Sequence, residues 1–232
     1  MPPRNPSPAA GTRPVTTGAA EPAGSILTFE QDGHIYRVDG VRKASVTELL
    51  EAAGVSPDYR KVHPAVLQHA RLRGIHVDAC CDLDDADDLD WSSVSPEAVG
   101  YVQAWQCFKA DYGYEPVMAQ PLLYHPRYDY AGTPDSIGML NDYVAVIERK
   151  ATARMAASYA LQTAGYSVDG MHVAPRGGGL LEPVPWAGPV MRVGVHLKPG
   201  GAYELVPYED PDDEAAWLGV VALARWRKLR RG

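Results

Sequence analysis

From Ile26 onward, apolar positions recur at two different periods, and the change between them marks the predicted elements. Ile35, Val38 and Val41 alternate around Asp39-Gly40, a pair that tolerates the positive φ angles of a two-residue turn, which predicts a β-hairpin. Ser45-Val46-Thr47-Glu48 reads as a capping box: the serine hydroxyl can accept from the Glu48 amide while Glu48 reaches back. A short helix should follow and stop at Gly54. A second helix should start at Pro64, where the missing N–H is harmless. It carries Val66, Leu67 and Ala70 toward Cys81, with Gly74 inside it. A third starts at Ser95-Pro96-Glu97 and runs to Tyr112.

Beyond Tyr112 the period becomes extended. Val117–His125 and Tyr128–Leu140 read as strands, Asn141-Asp142 as a turn, and Tyr143–Lys150 as a third strand. A helix is expected over Met155–Gly165, and residues 170–189, rich in Gly and Pro, should form a long loop. Met191–Leu197 and Ala202–Tyr208 flank Lys198-Pro199-Gly200-Gly201 as a hairpin. A last helix, Asp213–Arg230, would pack Trp217, Leu218, Val221 and Leu229. The order predicts one α/β (α+β) domain over residues 26–232, with a central mixed β-sheet flanked by helices.

Residues 1–25 are rich in Pro, Ala, Gly, Ser and Thr and contain no aromatic; such a stretch buries too little apolar surface to offset ordering and is expected to be a disordered tail. The chain of 232 residues is 46% hydrophobic, which excludes wholesale disorder. No apolar run approaches the roughly 18 residues of a membrane span, and no secretory leader is evident, so no membrane partner is expected. Three cysteines, Cys80, Cys81 and Cys107, form neither a disulfide framework nor a zinc pattern, and a reducing cytoplasm is expected.

The net charge of −7 at first disfavours a nucleic-acid partner. Twelve of the 29 acids, however, lie in two base-free runs, Asp78–Asp90 and Glu209–Glu214, and the remaining 17 face 22 bases. Charge therefore excludes DNA no more than it indicates it. The first run reads as a solvated loop; a metal-binding loop is the sharper alternative, but no Gly or Glu stands where an EF-hand needs one.

The chemistry concentrates in Gly132-Thr133-Pro134-Asp135 and in Val144-Ala145-Val146-Ile147-Glu148-Arg149-Lys150. Alternation along a strand puts Glu148 and Lys150 on one face and Arg149 on the other. If the Asn141-Asp142 turn folds the two strands together, Asp135 approaches the Glu148 face. Two carboxylates and an ammonium then converge at the end of an apolar strand, a donor set suited to Mg²⁺. A surface salt bridge between Glu148 and Lys150 is the plain alternative.

Pro134-Asp135 followed by a strand ending Glu148-Arg149-Lys150 resembles the signature of the PD-(D/E)XK nuclease superfamily. Arg73-Gly74-Ile75-His76 resembles the Gly-x-His element of its phage-exonuclease and RecB-type branch. Gln162-Thr163-Ala164-Gly165-Tyr166 resembles that branch's Gln-x-x-x-Tyr, and His34-Ile35-Tyr36 with Ser45-Val46-Thr47 resembles the opening of phage-encoded members. The resemblance implies a restriction-endonuclease-like core and a Mg²⁺-dependent deoxyribonuclease, an exonuclease of phage recombination or DNA processing. Mn²⁺ is expected to substitute.

On that resemblance Asp135, Glu148, His76 and the Arg149 carbonyl would hold the metal, and Lys150 would be the catalytic lysine. Gln162 and Tyr166 would shape the site or touch DNA; ordinary packing of His76 and Tyr166 is the alternative for each. Arg154 and Arg176 are candidate phosphate contacts, as are Arg225, Arg227, Lys228, Arg230 and Arg231 in the last helix. Relatives often end the strand Asp-x-Lys-Thr, whereas this chain has Lys150-Ala151-Thr152. Three ill-spaced cysteines predict no iron–sulfur cluster. DNA is the expected partner, with a single-strand annealing protein and a homo-oligomer as further candidates. A DNA-end-binding module without catalysis and a restriction-type endonuclease are the alternative functions.

Overall fold

The computed structural model describes residues 24–231; the expected tail over residues 1–25 therefore falls almost wholly outside the described residues. The chain order is β1 (Ile26–Glu30), β2 (Ile35–Val38), β3 (Val41–Ser45), α1 (Val46–Ala53), α2 (Pro64–Asp85), a 3-10 turn (Trp91–Ser93), α3 (Val99–Tyr112), β4 (Glu115–Ala119) and β5 (Leu122–His125). It continues with β6 (Tyr130–Gly132), β7 (Ser136–Leu140), β8 (Tyr143–Lys150), α4 (Ser158–Ser167), β9 (His172–Ala174), β10 (Gly179–Leu180), β11 (Glu182–Pro183), β12 (Met191–Leu197), β13 (Tyr203–Pro207) and α5 (Asp212–Arg231). Among the described residues no helix is long and apolar enough to cross a membrane.

These elements make a mixed α+β domain with two sheets rather than the one expected. The central sheet has order β13-β12-β8-β7-β4, and the second has order β10-β1-β2-β3-β6-β5-β9-β11. Each expected strand of residues 117–140 is in fact split between them. Gln120 takes a left-handed φ of 45° and Pro121 lacks an N–H, so the ladder breaks and the chain passes from β4 to β5 in the other sheet. Thr133-Pro134-Asp135 returns it from β6 to β7. The Pro134-Asp135 motif sits at this crossing.

In the central sheet β4, β7 and β8 are antiparallel neighbours, and β12, reached through α4, lies parallel to β8. The turn at Asn141-Asp142 has φ of 49° and 66° and pairs Leu140 with Tyr143, as its sequence predicts. β8 is buried on both faces. Ala145 and Ile147 pack with Trp105, Phe108 and Val77 of α3 and α2. Val146 packs with Val46, Ala164 and Trp217 of α1, α4 and α5.

The capping box at α1 forms: Ser45 Oγ accepts from the Glu48 N–H at 3.0 Å, and Glu48 Oε2 accepts from the Ser45 N–H at 2.8 Å. Gly54 closes the helix at φ 78°. Residues 170–189 are more ordered than a loop: β9 and β11 extend one end of the second sheet and β10 the other. Their apolar members supply the reason, since Met171, Ala174 and Leu181 are buried. Gly178, at φ 90°, lies so close to β1 that an added Cβ would stand 2.8 Å from the Leu27 carbonyl oxygen. The side chain of Leu229 lies outside the described residues; Trp217 and Val221 are buried as expected.

Candidate active site

The first part of the Asp78–Asp90 run corrects the expectation of a solvated loop, while Asp87, Asp88 and Asp90 are exposed beyond the helix. α2 continues through Asp85, because Asp78, Asp82 and Asp85 recur at helical spacing and face Arg149. The Arg149 guanidinium is fully buried. Its Nη2 donates to Asp82 Oδ1 at 2.5 Å, Nη1 lies 3.5 Å from Asp85 Oδ2, and Nε lies 3.7 Å from Asp78 Oδ1. The guanidinium also sits 5.1 Å from the Trp105 ring centroid. Asp85 Oδ1 accepts from Trp105 Nε1 and Lys109 Nζ, each at 2.7 Å. A buried cation and a set of acids thus join α2 to the back of β8.

On the opposite face of β8, Glu148 and Lys150 share the side that the alternation predicts. Glu148 is 3% exposed. Its Oε1 accepts from Lys150 Nζ at 2.6 Å and from Gln162 Nε2 at 2.8 Å. Gln162 Nε2 also lies 3.2 Å from the Tyr166 hydroxyl, one helical turn on. Glu148 Oε2 is buried and has no hydrogen-bond partner. Asp135 reaches the same strand end, where its Oδ2 accepts from the Arg149 N–H at 2.7 Å. Arg149 therefore serves two groups: its amide fixes Asp135, and its side chain fixes α2.

Burial, reinforced by the Asp135 charge, pushes the Glu148 carboxyl up to about 7, against the pull of Lys150. Burial works against the Lys150 ammonium too, but the Glu148 and Asp135 charges outweigh it and hold its pKa above the ordinary value. Asp78 is also shifted upward, first by the surrounding protein and then by Asp135, although its side chain remains 34% exposed and is reached by water. Burial raises the Tyr166 hydroxyl as well.

A pH dependence follows from Glu148. Its carboxyl binds a proton near pH 7 in the folded protein but only near its ordinary 4.5 when unfolded. Folded protein then holds more protons than unfolded between those values, so stability falls as pH rises from about 4.5 to about 7, by on the order of 3 kcal/mol. In EDTA, thermal melts of Glu148→Gln should lose this decline relative to wild type. Parallel pH profiles for the two proteins would contradict the assignment.

His76 is not brought to this cluster. Its Nε2 accepts from the Ser95 N–H at 3.2 Å and lies 3.8 Å from Cys80 Sγ, so the ring joins α2 to the start of the α3 segment. Asp78, two residues on, lies 3.7 Å from Arg149 Nε through its Oδ1, and burial and then the Asp135 charge raise its carboxyl. The i, i+4, i+7 spacing of Asp78, Asp82 and Asp85 was the available signal. Arg176 is also engaged: its Nη1 lies 2.9 Å from Asp82 Oδ2. Arg154 stands exposed in the segment after Lys150.

Among the described residues no three His, Cys, Asp or Glu side chains form a ready-made metal cage. The donors present are hard carboxylate oxygens, one of them buried without a partner. That set fits Mg²⁺, which takes one or two carboxylates and keeps several waters. No protein-family model and no curated protein sequence matches the chain.

Proposed function

We propose that the protein is a Mg²⁺-dependent deoxyribonuclease that hydrolyses phosphodiester bonds, acting as an exonuclease in phage recombination or DNA processing. The observation that carries this reading is Glu148: a buried carboxylate with an unpartnered Oε2, held between Lys150 and Gln162 and beside Asp135. Asp135, held by the Arg149 N–H, brings a second carboxylate to the same strand end, where a plain Glu148–Lys150 ion pair would need only one. The topology supports the reading as well. An antiparallel β4-β7-β8 meander followed by a helical crossover to parallel β12 is the arrangement expected of a restriction-endonuclease-like core.

Asp135 and Glu148 would hold the metal together with the Arg149 carbonyl. Bound there, Mg²⁺ would polarise a phosphoryl oxygen and lower the pKa of a water. Lys150 places a fixed positive charge where negative charge grows on the phosphate. Gln162 holds Glu148 Oε1, which leaves Oε2 as the oxygen free to bind. The Arg149 amide keeps Asp135 from turning away. DNA as partner and a cytoplasmic setting belong to the same proposal.

The test is digestion of linear duplex and covalently closed circular DNA, each with Mg²⁺ or EDTA. Loss of the linear substrate with Mg²⁺ alone, the circle being spared, is expected. Cleavage of the circle would favour an endonuclease, and no metal-dependent loss of either would overturn the reading.

A further inference from the structure

Beside Lys150 lies a cleft of about 920 Å³ between the loop before α2, the first turns of α2, and the segment joining β8 to α4. That is at the upper end of the roughly 300–1,000 Å³ of ligand sites. One wall presents Tyr59, Val62, Val66 and Leu67, all exposed; the other presents Met155 and the buried Tyr159, whose ring lies under Lys150 and whose hydroxyl meets that of Tyr59. The lining is mainly apolar, yet its surroundings are cationic. Residues 57–73 hold Arg60, Lys61, Arg71 and Arg73 against a single acid, Asp58, in a chain whose net charge is −7. Arg71 and Arg154 line the cleft and have no acidic partner among the described residues. Arg73 is spent structurally, donating to the Ala151 carbonyl at 3.0 Å and to Glu97. It thereby fixes one wall against the other.

The cleft is continuous with the candidate active site. Lys150 Nζ lies 4.8 Å from the centroid of the Tyr159 ring, and Ala151 through Ala156 form its edge. A strand whose phosphate sat at Lys150 would have its neighbouring nucleotides at this opening. An occupant must offer flat apolar faces to Tyr59, which is 44% exposed, and to the aliphatic side chains beside it, and negative charge to Arg71 and Arg154. Unpaired DNA does both, because its bases stack on aromatic side chains while its backbone meets cations. Bases stacked inside a duplex have no free faces to offer, and only the terminal pair exposes one.

We propose that this cleft seats the unpaired bases of single-stranded DNA flanking the bond to be cut, so that the enzyme acts on a single strand or on a frayed duplex end. The inference rests on the nuclease reading for its purpose, but its binding claim can be tested separately. The experiment measures fluorescence anisotropy of a labelled oligothymidylate, and of an abasic oligomer of equal length, with the full-length protein in EDTA. The oligothymidylate should bind about 10-fold more tightly than the abasic strand. Tyr59→Ala should remove most of that difference and leave abasic binding unchanged. Arg154→Ala should weaken both strands and lower the salt dependence.

Equal affinity for the two strands, or a Tyr59→Ala protein that still discriminates between them, would overturn the proposal. It would also fall if Val66→Asp dissolved an oligomer seen by sedimentation while base discrimination persisted, since the apolar wall would then be a protein interface. Discrimination between the strands by a protein that hydrolyses no DNA with Mg²⁺ would support the cleft and overturn only the nuclease reading. Hydrolysis without base discrimination would do the reverse.

Discussion

Lys150→Met is expected to lower Mg²⁺-dependent DNA hydrolysis by about 10²–10³-fold, the effect of removing one group that stabilises transition-state charge. The substitution keeps the aliphatic stem over Tyr159, where Lys150 Nζ now sits 4.8 Å from the ring centroid. It removes only the charge that donates to Glu148 at 2.6 Å. The fold should survive, because Glu148 is already held up to about 7 and can take a proton when its cation is gone. Single-turnover cleavage at saturating Mg²⁺, alongside thermal melts, separates the two effects. A loss of activity matched by a collapse in Tm would show a structural lysine instead.

Arg149→Met should be the most destabilising single change near the site. It deletes the buried cation that faces Asp82 and Asp85, whose side chains are 5% and 4% exposed. Breaking a buried pair from one side typically costs about 3–5 kcal/mol, since the remaining charge is left uncompensated. For a chain of this size the fall in Tm would be about 10 °C. Lys109 and Arg176 still neutralise part of the acid cluster, which is why the expected result is a destabilised protein rather than an unfolded one. Arg42→Met is the control. Its ion pair with Glu48 is exposed on both sides, and such a pair contributes about 1 kcal/mol or less. Equal melting shifts for the two variants would contradict the view of Arg149 as the tie between α2 and β8.

Local chemistry was legible in the sequence wherever few residues decide the outcome. The Ser45–Glu48 box, the Asn141-Asp142 turn and the alternation of Glu148, Arg149 and Lys150 are each settled by neighbours along the chain, and each forms. The approach of Asp135 to the Glu148 face followed from that turn. What was not legible depended on partners far along the chain. The acids of α2 read as solvated because their counter-ion, Arg149, stands 67 residues from Asp82. His76 sits in a motif of suitable spacing, but the Ser95 amide, 19 residues along the chain, claims its ring. The division into two sheets was signalled by Pro121 and Pro134, both of which interrupt stretches otherwise suited to continuous strands. Val66 and Leu67 were visible as helix-face residues, but not that they would remain uncovered beside Lys150 with Tyr59 of the preceding loop.

In the proposed function Asp135 and Glu148 form a metal-dependent site for cutting DNA. Its most direct test is release of nucleotides from end-labelled linear duplex by wild type and Asp135→Asn, each titrated with Mg²⁺. The wild type should release nucleotides in proportion to Mg²⁺ and stop in EDTA, and the variant should release none at any Mg²⁺ concentration despite an unchanged fold by circular dichroism. Equal release by the two proteins, or release that persists in EDTA, would contradict it.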